Sequence, residues 1–131
     1  MVVDTSALVA IVQDEPEREV FEERLASLPR APLLSAVSWM EAHMVVLSRM
    51  GDPGVVALRE LVEAANLRTI PVLPELAERA FDAVRHFGKG RHPAGLNLGD
   101  CFSYVLAIVM DEPLLFKGND FSKTDVMSAV G

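Results

Sequence analysis

Short apolar runs alternate with longer amphipathic segments along the whole chain. Four of the short runs have the length and composition of buried β-strands, and a segment with helical spacing of its apolar positions follows each of the first three. The strand candidates are MVVD, PLLSAVS, RTIPVL and EPLLFKGNDF, the last including the loop after it. Strands separated by helices indicate right-handed crossovers and a parallel sheet covered on both faces. The predicted fold class is therefore α/β.

Capping and helix-breaking residues set the expected ends of the helices. Thr5 or Ser6 can cap the first helix, and Pro16 suits the first turn of the second. Gly51 and Gly88 are in the positions where glycine ends a helix. The expected helices run to Val12, then over residues 16–27, 38–50, 52–66, 74–87 and 95–110.

Composition limits the class of protein. A chain of 131 residues with 50% hydrophobic and 24% charged residues predicts a single globular domain over residues 1–131. The apolar run from Tyr104 to Met110 is far shorter than the roughly 20 residues that span a bilayer, so no membrane segment is expected. The start of the chain lacks the basic region of a signal peptide. The single cysteine, Cys101, suits a reducing cytoplasm and is expected to be a small core residue.

The charges are distributed unevenly. A net charge of -7 argues mildly against a polyanionic partner. Acidic residues crowd the segment QDEPEREVFEER, whereas the segment RHFGKGRHPAG is basic and two further lysines, Lys117 and Lys123, flank an acidic site. Two basic patches therefore remain on an acidic protein.

Acidic side chains recur at one predicted edge of the sheet. Ligands of an open parallel sheet bind beyond the carboxyl ends of its strands. Asp4 ends the first strand, Asp120 follows the fourth, and Asp100 begins the helix before the fourth. Glu41 lies on the third helix, at the border of an apolar stripe that includes Met40. The four carboxylates could converge.

Each carboxylate also has a purely structural interpretation. Asp4 could cap the first helix, and Glu41 could be a solvated helix residue. Asp100 forms a possible capping box with Asn97, and Asp120 lies in a segment, GNDF, with good turn chemistry. Position alone leaves these alternatives open.

Four segments carry these acidic residues in the order and approximate spacing of a known family. They are VVDTSALVAIVQDEP, the helix with Glu41, LNLGDCFSYVLA and PLLFKGNDFSKTD. Through them the whole chain resembles the PIN-domain ribonucleases, in particular the VapC toxins of toxin–antitoxin pairs. The resemblance implies a three-layer α/β/α sandwich. It places the acidic active-site residues at Asp4, Glu41, Asp100 and Asp120.

The chain departs from the family in the loop after the last strand. Many relatives carry a threonine and a further Asp or Asn there, where this chain has Phe116 and Gly118. Whether Asp120 or Asp125 is the fourth acidic residue therefore stays open. The supporting residues implied by the resemblance are Thr5, Ser6, Asn119 and Asp125.

A cluster of carboxylates predicts a bound cation. Three or four carboxylates close together repel one another and resist ionisation unless a cation compensates them. Hard oxygen donors suit Mg²⁺, with Mn²⁺ as a substitute, rather than zinc. We expect Asp4 and Asp100 to hold the metal, partly through water, and Glu41 or Asp120 to accept a proton from the attacking water. His43, His86 and His92 lack metal-ligand spacing and are expected at the surface, where His86 and His92 could alternatively contact phosphates.

The predicted function is that of a cytoplasmic Mg²⁺-dependent endoribonuclease in which water, rather than a side chain, attacks the phosphodiester. The resemblance also implies a cognate VapB-type antitoxin, and we expect a homodimer. The expected RNA contacts are Arg85, Lys89, Arg91, Lys117 and Lys123. Apolar residues considered for partner or dimer surfaces, with core burial expected for most, are Val12, Trp39, Met40, Val45, Val46 and Met50.

Two other classes of protein are compatible with parts of this pattern. A catalytically idle PIN-like interaction module would use the acidic patch only to receive a basic partner. A receiver-type phospho-acceptor domain needs an aspartate directly after its third strand, where this chain has the prolines of TIPVLPE, and is much less favoured.

Overall fold

A single parallel sheet forms the centre of the molecule. The structure, a computed structural model, describes residues 1–130. Its four strands lie in the order β3-β2-β1-β4, and each neighbouring pair is parallel. The strands are β1 (Val2–Val3), β2 (Leu33–Ser35), β3 (Arg68–Ile70) and β4 (Leu114–Leu115). The α/β class predicted from the alternation of strands and helices is confirmed.

Helices precede, connect and cover the strands as the periodicity predicts. They are α1 (Thr5–Val12), α2 (Arg18–Ala26), α3 (Ala36–Met50), α4 (Asp52–Ala64), α5 (Pro74–Phe87) and α6 (Leu98–Met110), with a short 3-10 helix at Phe121–Lys123. The predicted starts of α2, α3 and α6 were wrong by two, two and three residues: α3 already begins at Ala36, α6 begins only at Leu98 after its N-cap Asn97, and Pro16 precedes α2. A turn at residues 13–14, where Asp14 has a φ of 54°, and a second turn at residues 16–17 precede α2, which begins at Arg18.

Alternation along β1 assigns the helices to two layers. Val2 and Val3 are both fully buried and point to opposite faces because successive strand residues alternate. Val3 packs in the cluster that contains α1 and α4, whereas Val2 packs with α5 and α6. The three-layer sandwich is therefore confirmed. Cys101 is buried in the second cluster, as expected.

The buried face of α3 differs from the apolar stripe of its sequence. Met40, Met44 and Leu47 are each more than half exposed. The helix instead buries a face that includes Ala42 and Val46, and it packs there against α1, α4 and α6. Small side chains let three helices approach closely, which explains why the larger methionines lie outside. Val46, considered for a partner surface, is fully buried in the core.

The prediction of a surface position was wrong for His43. Its ring is buried and stacks on Trp39 with 3.8 Å between ring centroids. The spacing of four residues on α3 brings the two rings together, and His43 Nδ1 lies 2.6 Å from the Trp39 carbonyl oxygen. No helix among residues 1–130 has the length and apolar character needed to cross a membrane.

Candidate active site

Asp4 stands at the junction between β1 and α1. It is 1% exposed, and its Oδ2 accepts hydrogen bonds from the Ser6 backbone N–H at 3.0 Å and the Ser6 hydroxyl at 2.7 Å. Asp4 is therefore the N-cap of α1. The prediction of Thr5 or Ser6 as the cap was wrong because the strand ends at Val3 and Thr5 already belongs to the helix. Capping leaves the second oxygen, Oδ1, directed elsewhere.

Asp100 lies in the first turn of α6 and forms the predicted capping box. Its backbone N–H donates to Asn97 Oδ1 at 2.9 Å, and its Oδ2 accepts from the Asn97 N–H at 3.0 Å. The cap uses one carboxylate oxygen. The other oxygen accepts no hydrogen bond from residues 1–130. Helix capping and a role at a site are therefore compatible for this residue.

The pKa of Asp100 depends on the acidic side chains around it. Its pKa is raised from 3.8 to about 7, first by burial of the carboxyl and then by nearby carboxylates. Those carboxylates belong to Asp4, Glu41 and Asp120. The hydrogen bond from Asn97 acts in the opposite direction. The other three predicted acidic residues therefore lie close enough to Asp100 for their charges to raise its pKa.

Glu41, on α3, extends its carboxylate towards the start of α6, next to Asp100. A Cβ atom added to Gly99 would lie 2.5 Å from Glu41 Oε1, so the carboxylate rests against the first turn of α6. The unpaired N–H groups of a helix start favour a negative charge there. Sequence reasoning missed the part played by Gly99, because a glycine before an aspartate at a helix start carries no distinctive signal.

The carboxylates of Asp4, Glu41 and Asp100 line one pocket of about 450 Å³. We call it the acidic pocket. It lies beyond the carboxyl ends of β1 and β4, where the sheet topology predicts a ligand site. Other residues that line it include Thr5, Ser6, Glu15, Asn97 and Lys117.

Asp120 and Asp125, the two candidates for the fourth acidic residue, lie in different places. Asp120 is exposed at the start of the 3-10 helix and lies outside the lining of the acidic pocket, yet its charge acts on Asp100. Asp125 accepts a hydrogen bond from the Tyr104 hydroxyl and lines a different pocket, between α5 and α6. Asn119 is exposed beside Asp120. The geometry favours Asp120 over Asp125 as the fourth carboxylate.

Lys117 has contacts that its sequence does not reveal. Its ammonium pairs with Glu15 and lies 3.4 Å from Glu17, and its backbone N–H donates to the Ser6 hydroxyl at 3.0 Å. The Lys117 side chain, predicted as an RNA contact, thus forms ion pairs with carboxylates in the segment after α1. Gly118 follows with a φ of 98°, a conformation that favours glycine at this position of the loop.

The other predicted RNA-contacting residues lie on the α5 and α6 side. Lys89 and Arg91 are exposed in the loop of residues 88–97, which we call the basic loop, and form no ion pair within residues 1–130. The Lys123 ammonium lies 3.4 Å from the Pro93 carbonyl oxygen of that loop. Arg85 lies over the ring of Phe81. Lys123 therefore extends the basic loop, whereas Lys117 does not.

The family of the chain follows from comparison with known proteins. The model of the PIN domain family matches residues 1–127, and the chain therefore belongs to this family. Ribonuclease VapC of Mycolicibacterium smegmatis is 48% identical over 126 residues, which cover 96% of this chain and 97% of that protein. Ribonuclease VapC30 of Mycobacterium tuberculosis is 46% identical over 126 residues, which cover 96% and 95%. The chain is thus a nuclease of the VapC group.

Solved structures agree on the fold. The crystal structure of Mycobacterium tuberculosis VapC20, described as a sarcin-ricin loop cleaving toxin, matches 96% of this chain and 95% of that chain with a TM-score of 0.79 at 19% identity. A toxin–antitoxin complex from Klebsiella pneumoniae matches 95% of this chain and 92% of that chain with a TM-score of 0.68 at 18% identity.

Proposed function

We propose that this chain, as a single domain over residues 1–131, is an Mg²⁺-dependent endoribonuclease toxin that a VapB-type antitoxin neutralises. The observation that supports the activity most directly is the meeting of Asp4, Glu41 and Asp100 in the acidic pocket. Membership of the VapC group supports RNA as the substrate. RNA as substrate and a single buried thiol both suit the cytoplasm.

The donor set fits a hard divalent cation. Members of the PIN family generally depend on divalent metals. No group of three His, Cys, Asp or Glu side chains within residues 1–130 is arranged to hold a metal by itself. Mg²⁺ does not require such a cage, because it keeps several waters and is usually bound through one or two carboxylates. Asp4 and Asp100 would supply these two ligands.

The remaining side chains have distinct roles in the proposed reaction. A divalent cation at this site would neutralise charge on the phosphodiester and lower the pKa of water. Glu41 and Asp120 orient the attacking water, and one of them accepts its proton. Thr5 and Ser6 provide polar support beside Asp4, while Asn119 and Asp125 support the loop after β4.

The test is cleavage of total RNA by the antitoxin-free protein with Mg²⁺, with Mn²⁺ and with a chelator. Asp4→Asn and Asp100→Asn should each reduce cleavage at least about 100-fold, because each removes a metal ligand. Asp100→Asn should still fold, since an amide oxygen can also accept from the Asn97 N–H.

Asp111→Asn is the matched control. It makes the same charge change at the exposed end of α6, in a left-handed conformation that asparagine accepts readily, and should keep full activity. Activity that resists the chelator or survives Asp4→Asn would contradict the proposal, and a folded wild type without activity would support the idle interaction module.

The acidic pocket also supports the proposed antitoxin. A basic side chain placed among Asp4, Glu41 and Asp100 would compensate their charges and occupy the place of the metal. The similarity to a toxin–antitoxin complex concerns the fold, so this partner stays part of the proposal.

A homodimer is proposed from an exposed apolar face. Met40, Met44 and Leu47 lie at intervals of four and three residues along α3, and all three are more than half exposed. Leu98 at the start of α6 is 69% exposed and lines a pocket with Met40 and Met44. Contiguous exposed apolar surface of this kind is uncommon on a monomer and marks an interaction site. The face borders Glu41, so pairing through it would bring two acidic pockets near each other.

Sedimentation analysis of the antitoxin-free protein tests the dimer. Met44→Lys should shift the mass to that of a monomer, because a charge would be buried between the two copies. Val56→Lys, a matched change at an exposed valine of α4, should leave the dimer intact. A wild type that sediments as a monomer, or equal dissociation in both variants, would reject this interface.

A further inference from the structure

A chain of buried hydroxyl groups leads to the second oxygen of Asp4. The Ser103 hydroxyl lies 2.6 Å from Asp4 Oδ1, and the Ser38 hydroxyl lies 3.0 Å from the Ser103 hydroxyl. Both serines are 0% exposed. Water therefore does not compete for these contacts in the folded protein.

The direction of this chain follows from its chemistry. A carboxylate only accepts hydrogen bonds, so the single proton of the Ser103 hydroxyl goes to Asp4. The Ser103 oxygen then accepts from Ser38, which leaves Ser38 as the donor at the far end. A buried donor chain of this kind holds the carboxylate in one orientation.

The chain joins the three elements that carry the acidic residues. Ser38 lies on α3 three residues before Glu41, and Ser103 lies on α6 three residues after Asp100. Residues three apart share a helix face. A fixed distance between the two hydroxyls therefore also fixes how closely α3 and α6 bring their carboxylates to Asp4.

We propose that Ser38 and Ser103 are positioning residues, which orient Asp4 for cation binding and set the spacing of the acidic pocket. This inference rests on the proposed function, in which Asp4 is a metal ligand. The two serines touch neither RNA nor the reacting atoms. They act through Asp4, whose Oδ2 is held independently by Ser6.

The experiment compares Ser103→Ala, Ser38→Ala and the double variant, each in the full chain. Mn²⁺ affinity is measured by electron paramagnetic resonance without RNA, and kcat and KM for RNA cleavage are measured over a range of Mg²⁺ concentrations. Ser103→Ala should weaken Mn²⁺ binding about 10- to 100-fold, the usual effect of removing a partner of a metal ligand. Its kcat at low Mg²⁺ should fall, and its KM for RNA should stay unchanged.

Ser38→Ala should act in the same direction but less strongly, since Ser103 still donates to Asp4. Its effect should disappear in the Ser103→Ala background, because the chain is then already broken. Ser38→Ala also keeps the test decisive if Ser103→Ala does not fold.

Cys101→Ala is the matched control. It removes one buried atom from the same helix, outside the acidic pocket, and should leave Mn²⁺ affinity unchanged. Unchanged Mn²⁺ affinity in Ser103→Ala, or an equal loss in Cys101→Ala, would overturn the inference while leaving the proposed function intact. A folded wild type that neither binds Mn²⁺ nor cleaves RNA would overturn both.

Discussion

Asp100 shows how one side chain can serve local structure and a site together. One of its oxygens completes the capping box of α6, and burial beside other carboxylates raises its pKa to about 7. The ordinary value for the unfolded chain is 3.8. The folded protein therefore binds this proton more tightly than the unfolded chain does.

That difference predicts a pH dependence of stability in the metal-free protein. The contribution of Asp100 to stability is complete below the unfolded pKa and is lost as pH rises through about 7. Asp100→Asn is neutral at every pH and keeps the cap. Its free energy of unfolding relative to wild type should therefore increase between about pH 5 and about pH 8, as measured by urea denaturation with a chelator. If the difference in free energy of unfolding stayed constant or fell over this pH range, the pKa of Asp100 would not be raised in the folded protein.

At the residue scale, the sequence predicts the positions of the acidic residues better than the residues that form hydrogen bonds with them. Asp4 and Asp100 follow from rules about strand ends and helix starts, which are local. Ser38 and Ser103 look like ordinary serines within helices, and their contact with Asp4 depends on how α3 and α6 pack. A long-range contact of this kind leaves no periodic or capping signal.

At the scale of elements, the contact between α3 and α6 depends on a missing side chain. Glu41 occupies the space in which a Cβ of residue 99 would lie, 2.5 Å from its Oε1. An added Cβ would clash only with the end of the flexible Glu41 side chain, so the backbone need not move. Gly99→Ala should therefore cost little stability but displace the Glu41 carboxylate.

The expected result for Gly99→Ala is an unfolding midpoint close to that of wild type together with at least about a tenfold loss of kcat, because a small misplacement of a catalytic group is costly. The double variant with Glu41→Gln separates the causes. If Gly99→Ala acts through Glu41, it should have little further effect in the Glu41→Gln background. Additive losses would instead assign the effect to α6 itself.

The same scale shows why the faces of α3 were harder to predict than its ends. Gly51, with a φ of 69°, ends the helix where the sequence indicates. The apolar stripe through Met40 and Met44 nevertheless lies outside, because α3 has helices on several sides and buries its smaller residues between them. Periodicity identifies a helix but does not decide among several competing apolar faces.

At the scale of the whole molecule, acidic and basic side chains occupy separate regions, which we expect to contact different parts of an RNA. The net charge is -7, yet the acidic pocket and the basic loop are near neighbours, since the loop leads directly into α6 and Asp100. The loop would hold flanking phosphates while the carboxylates hold the cation at the scissile one. Lys117 does not belong to the basic loop: its ammonium pairs with Glu15, and it lines the acidic pocket.

The double variant Lys89→Ala with Arg91→Ala tests this division. Losing two phosphate contacts should raise KM for RNA several-fold and reduce the slope of log KM against log salt by roughly 1 to 1.5, since each contact with single-stranded nucleic acid releases about 0.7 counterion. The kcat should not change, because neither side chain lies in the acidic pocket. The control is Arg30→Ala with Arg68→Ala, which removes the same charge at the amino ends of β2 and β3, together with the ion pair between Arg30 and Glu112. If both double variants raise KM equally, net charge rather than the basic loop governs RNA binding.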